Sequence, residues 1–263
     1  MKKFLARLPL LIIGIPLTYW LIAMAGNMPR MIFFAVIAVL GQFELCRMLE
    51  KDARKPYFEW VIGLAMMAFT YWGGERALFG GFAVAVVATM LKTVFRGLKG
   101  DGIKQFCHII FSLYYLPFNL SCYYLLTISR NYTGKDLFFI VASIWTLDIG
   151  AYLFGMTLRG PKMSPKISPN KTISGAVGGF LCSVGFMHCA AHYGWVNYPV
   201  AQTIYAAIMI GIVGQVADLF ESVIKRESDT KDSSALLGAH GGVLDRIDSI
   251  LFLGPLCYFI FTL

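Results

Sequence analysis

Charge is scarce in this chain of 263 residues. Only 14% of them are Asp, Glu, Lys or Arg, against roughly 25% in an average soluble domain. Hydrophobic residues reach 57%. The shortage of charge excludes an ordinary soluble domain, which needs more polar cover than these residues supply. Strict alternation of apolar and polar residues is also lacking, which excludes the strands of a transmembrane barrel. No CxxC pair occurs. Cys46, Cys107, Cys122, Cys182, Cys189 and Cys257 all sit in or beside apolar runs. They read as small buried hydrophobes rather than as a zinc site or a disulfide framework. No internal repeat stands out.

What is present is a series of apolar runs, most near the ~20 residues that a helix needs to cross hydrocarbon. They fall at about 5–25, 31–49, 58–72, 77–95, 106–128, 137–154, 174–193, 200–224 and 247–263. The expected fold is all-α, a polytopic integral membrane protein of about nine transmembrane helices. The first run is longer than the ~7–15 residues of a signal-peptide core, so it is expected to be retained. With the N-terminus cytoplasmic and the C-terminus outside, 19 of the 23 Lys and Arg fall on the cytoplasmic side. The four outside are Arg30, Arg76, Arg130 and Lys135. The positive-inside rule predicts that bias. The net charge of +8 therefore reflects topology and attraction to anionic lipid, and gives no support for nucleic-acid binding. Glu44 and Arg47, near the end of the second run, are expected to snorkel to the interface or to pair with each other.

One stretch, 214–249, breaks the apolar pattern. It holds Asp218, Glu221, Glu227, Asp229, Asp232, Asp245 and Asp248, seven of the chain's 15 acids. An ionisable residue inside a membrane span is costly and marks a functional candidate. Asp218 and Glu221 share a helix face by their spacing, and so do Asp245 and Asp248 if the last helix starts before them. Asp148 lies at a similar depth in the sixth run. Carboxylates gathered without a cation repel one another, and a Mg2+ held by Asp218 and Asp245 would relieve that. Salt bridges with Lys225, Arg226 and Arg246 are the plainer alternative. The flanking Lys225, Arg226, Lys231 and Arg246 suit phosphate groups. Gly238, Gly241 and Gly242 around His240 would let backbone N–H groups approach a ligand. Pro161, Pro165 and Pro169 cannot continue a helix, so 155–173 is expected to be a cytoplasmic loop. Gly175, Gly178 and Gly179 then permit close helix packing.

The order Ser222-x-x-Lys225-Arg226, Lys231-Asp232 and His240-Gly241-Gly242-x-x-Asp245-Arg246-x-Asp248 resembles the signature of the CDP-diglyceride synthetases, the phosphatidate cytidylyltransferases. Upstream, Asp218-Leu219-x-Glu221-Ser222, Trp145-x-x-Asp148-x-x-Ala151-Tyr152-x-x-Gly155 and Ser168-Pro169-x-Lys171-Thr172-x-x-Gly175 resemble further motifs of that family. Ser174, Ala217 and Gly238-Ala239 depart from the family's usual Glu, Gly and Pro-Gly. The resemblance spans about residues 145–248, while the first 130 residues match only in hydropathy.

The resemblance implies transfer of the cytidylyl group from CTP to phosphatidate, with release of pyrophosphate. It implies Mg2+, with a second, monovalent cation such as K+, and a homodimer in the inner membrane whose active site faces the cytoplasm and lipid. Asp218, Asp245, Asp248, Lys231 and Asp232 take catalytic positions in it. Asp218 and Asp245 would ligate Mg2+. Asp148 and Asp248 would complete the acidic shell, or hold the second cation or a ligating water. Lys225, Arg226, Lys231 and Arg246 would bind the CTP phosphates or the phosphatidate headgroup. Lys171 and Thr172 would close over phosphates, while Ser222, His240, Gly241 and Gly242 would help to place CTP. Residues 1–130 are expected to form scaffold and dimer contacts. Residues 131–263 are expected to be catalytic, with cytoplasmic loops 155–173 and 225–246. The competing readings are a CTP-dependent lipid-alcohol kinase and an ion transporter with a carboxylate cluster on its cytoplasmic side.

Overall fold

The computed structural model describes residues 8–50, 56–97, 101–238 and 241–262. His240 lies outside the described residues, as do residues 5–7 of the first expected run and Lys2, Lys3, Arg7, Lys51, Arg54, Lys55 and Lys99 of the charge map.

Long apolar runs in lipid must satisfy their backbone groups internally, which favours helix. Helix α1 covers Leu8–Tyr19 and continues through a wide turn at Trp20–Met24, and α2 covers Asn27–Leu49. Helix α3, Tyr57–Arg96, breaks at Gly74, where φ is 64° and ψ −145°. Met66 lies against Gly81, so the expected runs 58–72 and 77–95 are the two arms of a helical hairpin. Helix α4, Gly102–Leu113, passes through a wide turn at Tyr114–Phe118 into α5, Asn119–Thr127. Pro117 causes that irregularity because it lacks an N–H. Asn119 Nδ2 donates to the Tyr114 carbonyl at 2.7 Å and satisfies a freed acceptor. Then follow α6 (Asp136–Leu158), β1 (Lys162–Ser164), β2 (Ser168–Thr172), α7 (Ile173–His192), α8 (Val200–Glu227), α9 (Leu244–Ile247) and α10 (Leu253–Thr262).

Among the described residues six helical stretches are long and apolar enough to cross a membrane, namely α2, α3, α4 with α5, α6, α7 and α8, and Gly14–Met24 and Leu253–Thr262 are shorter apolar helices. The chain is therefore an α-helical membrane protein. Two expectations need correction. The proline-rich loop folds as an antiparallel hairpin, with Lys162 opposite Thr172 and Ser164 opposite Ser168. Its prolines suit strands without neighbours on their outer edges. The last apolar run is not one helix from residue 247. It makes the single helical turn α9, bends through Phe252 at φ 71°, and only then enters α10.

The continuous stretch from α4 to α5 forms the centre, with Leu113, Tyr115, Leu116, Tyr123 and Leu126 buried. Trp72 and Phe95 instead stand 77% and 85% exposed, a surface suited to hydrocarbon rather than water. Helices α6 and α7 approach closely, as their small residues lead one to expect. A Cβ on Gly179 would stand 2.5 Å from the Leu147 carbonyl, and one on Gly175 would stand 2.6 Å from that of Ala151. A buried Ser143–Ser183 hydrogen bond of 2.8 Å ties the same pair. This approach sets Asp148 of α6 beside α7 and α8.

The two ends of the bundle differ. At one end Arg30 donates to the carbonyls of Ala25 and Thr127, and Asp136 accepts the Asn197 N–H. The other end holds Glu44, Ser233, Asp245, Lys225 and Glu221 in one bonded network, with the Lys171–Asp218 ion pair near it. Substitution Gly179→Leu should separate α6 from α7 and lower stability by about 1–3 kcal/mol or more. Thermal unfolding of the detergent-solubilised protein measures this, and an unchanged midpoint would contradict the close approach.

Candidate active site

Helix α8 supplies the first part of the site. Asp218 and Glu221 lie one turn apart, and Lys225 follows one turn after Glu221. Glu221 is fully buried and ion-paired with Lys225. Neither of its oxygens accepts a well-formed hydrogen bond, so the ammonium alone compensates it among the described residues. The same Nζ donates to Asp245 Oδ1 at 2.9 Å. Lys225 therefore lies between one acid of its own helix and one of the α9 turn, and an ion so buried needs that pairing.

The β-hairpin supplies the second part. Lys171 of β2 ion-pairs with Asp218, both half-buried. The hairpin is pinned at its base, where Ile173 N–H donates to the Pro161 carbonyl at 2.9 Å and Gly160 N–H to Ser174 Oγ at 3.1 Å. At its tip Arg226 Nε donates to the Ile167 carbonyl at 3.3 Å. The Thr172 hydroxyl accepts the Gly175 N–H at 3.1 Å and caps α7.

The loop before α9 supplies the third part. Asp245 Oδ2 accepts from Gly242 N–H at 2.8 Å, Ser233 N–H at 2.9 Å and Ser233 Oγ at 3.0 Å. Burial disfavours this carboxylate, but the bonds from Gly242, Lys225 and Ser233 outweigh it and hold its pKa below the ordinary value. Gly241 sits at φ 79°, where a side chain would be strained.

Glu44 of α2 is a correction to the sequence reading. It neither snorkels nor pairs with Arg47, whose guanidinium lies over the Phe43 ring at 5.6 Å. It is 0% exposed. Its Oε1 accepts Val243 N–H at 2.9 Å and Ser234 Oγ at 2.5 Å, and its Oε2 accepts Leu244 N–H at 2.8 Å and Ser233 Oγ at 2.9 Å. A Cβ on Gly242 would fall onto Ser233 Oγ and within 2.6 Å of both Glu44 oxygens. The glycine is required by that contact, whatever it offers a ligand.

Asp148, Asp218 and Asp248 lie near enough to act on one another electrostatically, and Asp248 also acts on Glu221. Helix α9 starts one residue before Asp245, so Asp245 and Asp248 ride one helical turn. Asp248 Oδ1 accepts the Ser249 N–H at 2.7 Å. Ser222 is buried on α8, whereas Arg226, Lys231, Asp232 and Arg246 are exposed. Among the described residues, Lys231 and Asp232 make no hydrogen bond to the acids. No three His, Cys, Asp or Glu side chains among the described residues converge at metal-ligand range. Besides Glu44, sequence reasoning missed Ser233 and Tyr115. The Tyr115 hydroxyl is buried without a hydrogen-bond partner, within electrostatic reach of Glu221, Asp248 and Asp218. Glu44 carried a signal, being an acid within an apolar run. Ser233 and Tyr115 carried none.

The Cytidylyltransferase family model matches residues 5–263. The phosphatidate cytidylyltransferase of Brucella suis biovar 1 (strain 1330) is 38% identical over 183 residues, covering 68% of this chain and 63% of that protein. The chain thus spans somewhat less than two thirds of the Brucella relatives. The phosphatidate cytidylyltransferase of Bacillus subtilis (strain 168) is 28% identical over 255 residues, 94% of each chain. That of Staphylococcus aureus (strain COL) is 29% identical over 244 residues, 89% of this chain and 90% of its own.

The lowered pKa of Asp245 fixes the sign of a pH effect. Its contribution to stability is full above its ordinary value of 3.8 and is lost as the pH falls through the folded value. Substitution Asp245→Asn should therefore cost about 1–3 kcal/mol near neutral pH. The gap to the unsubstituted protein should close as the pH falls below that range, as followed by thermal unfolding.

Proposed function

Because the chain belongs to the cytidylyltransferase family, we propose that it is a membrane-embedded phosphatidate cytidylyltransferase. A phosphatidate oxygen attacks the α-phosphorus of CTP, forming CDP-diacylglycerol as the bond to the departing pyrophosphate breaks. The observation that carries this reading is the gathering of acids at one end of the bundle. Asp148, Asp218 and Asp248 lie within electrostatic reach of one another, Glu221 and Asp245 lie beside them, and Lys171 and Lys225 are ion-paired among them.

The mutual reach of Asp148, Asp218 and Asp248 supports a Mg2+ completed by substrate. Mg2+ commonly binds through one or two carboxylates plus substrate phosphates, so no closed protein cage is required. Asp218 and Asp245 would hold it, with Asp148 and Asp248 beside them for the second cation or a ligating water. When bound, Mg2+ would screen the two anionic reactants and stabilise the leaving pyrophosphate. A phosphomonoester carries about 1.5–2 negative charges near neutral pH, so phosphatidate needs little help from a general base.

The lysines have different parts. Lys171 stands on a half-exposed strand and would exchange its pairing with Asp218 for a phosphate oxygen. The charge of Lys225 is already committed to two acids, so it keeps Asp245 in position rather than receiving substrate. Exposed Arg226, Lys231 and Arg246 suit the first encounter with CTP. Segregation of the basic residues supports about nine spans, a cytoplasmic N-terminus, an outside C-terminus and a cytoplasmic active site in the inner membrane. The family resemblance carries the homodimer.

Purified protein given phosphatidate, Mg2+ and CTP labelled at the α-phosphate should place label in extracted lipid and release pyrophosphate. Release of CDP with label-free lipid would instead identify a CTP-dependent kinase. Substitution Asp218→Asn should lower turnover by about 10²-fold or more, and chelation of Mg2+ should abolish it. Full turnover in Asp218→Asn would remove that residue from the metal site.

A further inference from the structure

Glu44 takes no part in the proposed chemistry, yet the loop that carries Asp245 hangs from it. We propose that Glu44 is a positioning residue for the transfer reaction, acting through Ser233 and the 242–244 backbone to fix Asp245. This rests on the reading of Asp245 as part of the active site.

The bonding pattern carries the inference. Successive amides are shared between two carboxylates: Gly242 N–H donates to Asp245, whereas Val243 and Leu244 N–H donate to Glu44. Ser233 joins the same two acids. Its Oγ lies 2.9 Å from Glu44 Oε2 and 3.0 Å from Asp245 Oδ2, and its N–H donates to Asp245. One hydroxyl proton serves one acceptor at a time, so Ser233 makes the two acids interdependent. The fit leaves no room for a methyl at residue 242.

Glu44 itself is unsuited to touch substrate. It is 0% exposed, and both oxygens are occupied by four donors from the loop. Burying a carboxylate at a membrane span is costly, and an apolar side chain would fill the space without that cost. What an apolar residue cannot do is hold two amides and two hydroxyls in fixed directions. A misplacement of about 1 Å at a catalytic group can cost about 10²-fold in rate.

The test uses the full-length protein in lipid nanodiscs, with Glu44→Gln, Ser233→Ala and Asp245→Asn made separately. In Glu44→Gln the amide nitrogen faces donors, so part of the set is broken with little change of volume. The expected result is a fall in kcat of about 10- to 100-fold with KM for phosphatidate unchanged. Amide hydrogen exchange should quicken in 233–244, while the unfolding midpoint stays near that of the unsubstituted protein. Three outcomes overturn the proposal: an unchanged kcat, a raised KM at full kcat, or a loss of turnover no larger than the loss of folded protein.

If Glu44→Gln does not fold, Ser233→Ala decides. It keeps both amide bonds to Glu44 and the residue 233 N–H bond to Asp245 but removes the hydroxyl that joins the two acids, and should lower kcat about tenfold at constant KM. An unchanged kcat there overturns the proposal. Asp245→Asn separates the two readings. If it keeps full turnover, the assignment of Asp245 fails and this inference falls with it. If it is inactive while Glu44→Gln is fully active, only the role of Glu44 fails.

Discussion

The structure depends on pairing buried acids with ammonium groups where little water can reach them. The idealised cost of moving such an ion into a low-dielectric interior is of order 20 kcal/mol, and several kcal/mol remain after relaxation. Lys225 meets that requirement for Glu221 and Asp245 together. It thereby binds α8 to the turn that carries Asp245. Lys171 does the same for Asp218 and binds the β-hairpin to α8. The ion pairs hold the site's charges and are also its joints. This is why the polar chemistry collects at one end of an otherwise apolar bundle.

Rigid and irregular segments divide the work. Asp148, Asp218 and Glu221 ride on long helices, and glycine packing sets their spacing, Gly175 and Gly179 of α7 against α6 and Gly211 and Gly214 of α8 against α7 and α6. The opposing lysine and the remaining acids come from the hairpin and from the α9 turn. A continuous last helix would carry Asp245 away from the loop amides that hold it. The bend at Phe252 separates the short apolar helix α10 from the turn that serves the site. Local irregularity is tolerated there because it is buried in protein rather than exposed to lipid.

Much of this was legible in the sequence. Apolar runs gave the helices, because hydrocarbon leaves a spanning chain few alternatives, and the acids at Asp218 and Asp245 advertised their cost. The arms of α3 were read correctly as two runs because Gly73-Gly74-Glu75-Arg76 interrupts the hydropathy. The hairpin at 162–172 was read only as loop, since its prolines exclude helix without revealing a strand register. Gly242 was read as room for a ligand, although its need comes from Glu44, about 200 positions earlier. No local pattern encodes a bond of that separation. Glu44 itself was misread because an acid near the end of an apolar run has an easy route to water, and only tertiary packing closes it.

The relation between Glu44 and the loop bears on how the first half of such a chain should be read. Residues 1–130 carry none of the motifs quoted for the family, although the family model matches residues 5–263, and a stretch without motifs suggests a scaffold that any apolar helices could provide. A scaffold of that kind needs shape but no specific polar group. The structure places an acid of α2 under four donors of the loop, and only a carboxylate offers four acceptor directions in so small a volume. The constraint on α2 is therefore chemical as well as steric. It is local to one residue, which is why the surrounding helix keeps an ordinary apolar composition while the loop it supports carries the recognisable motif.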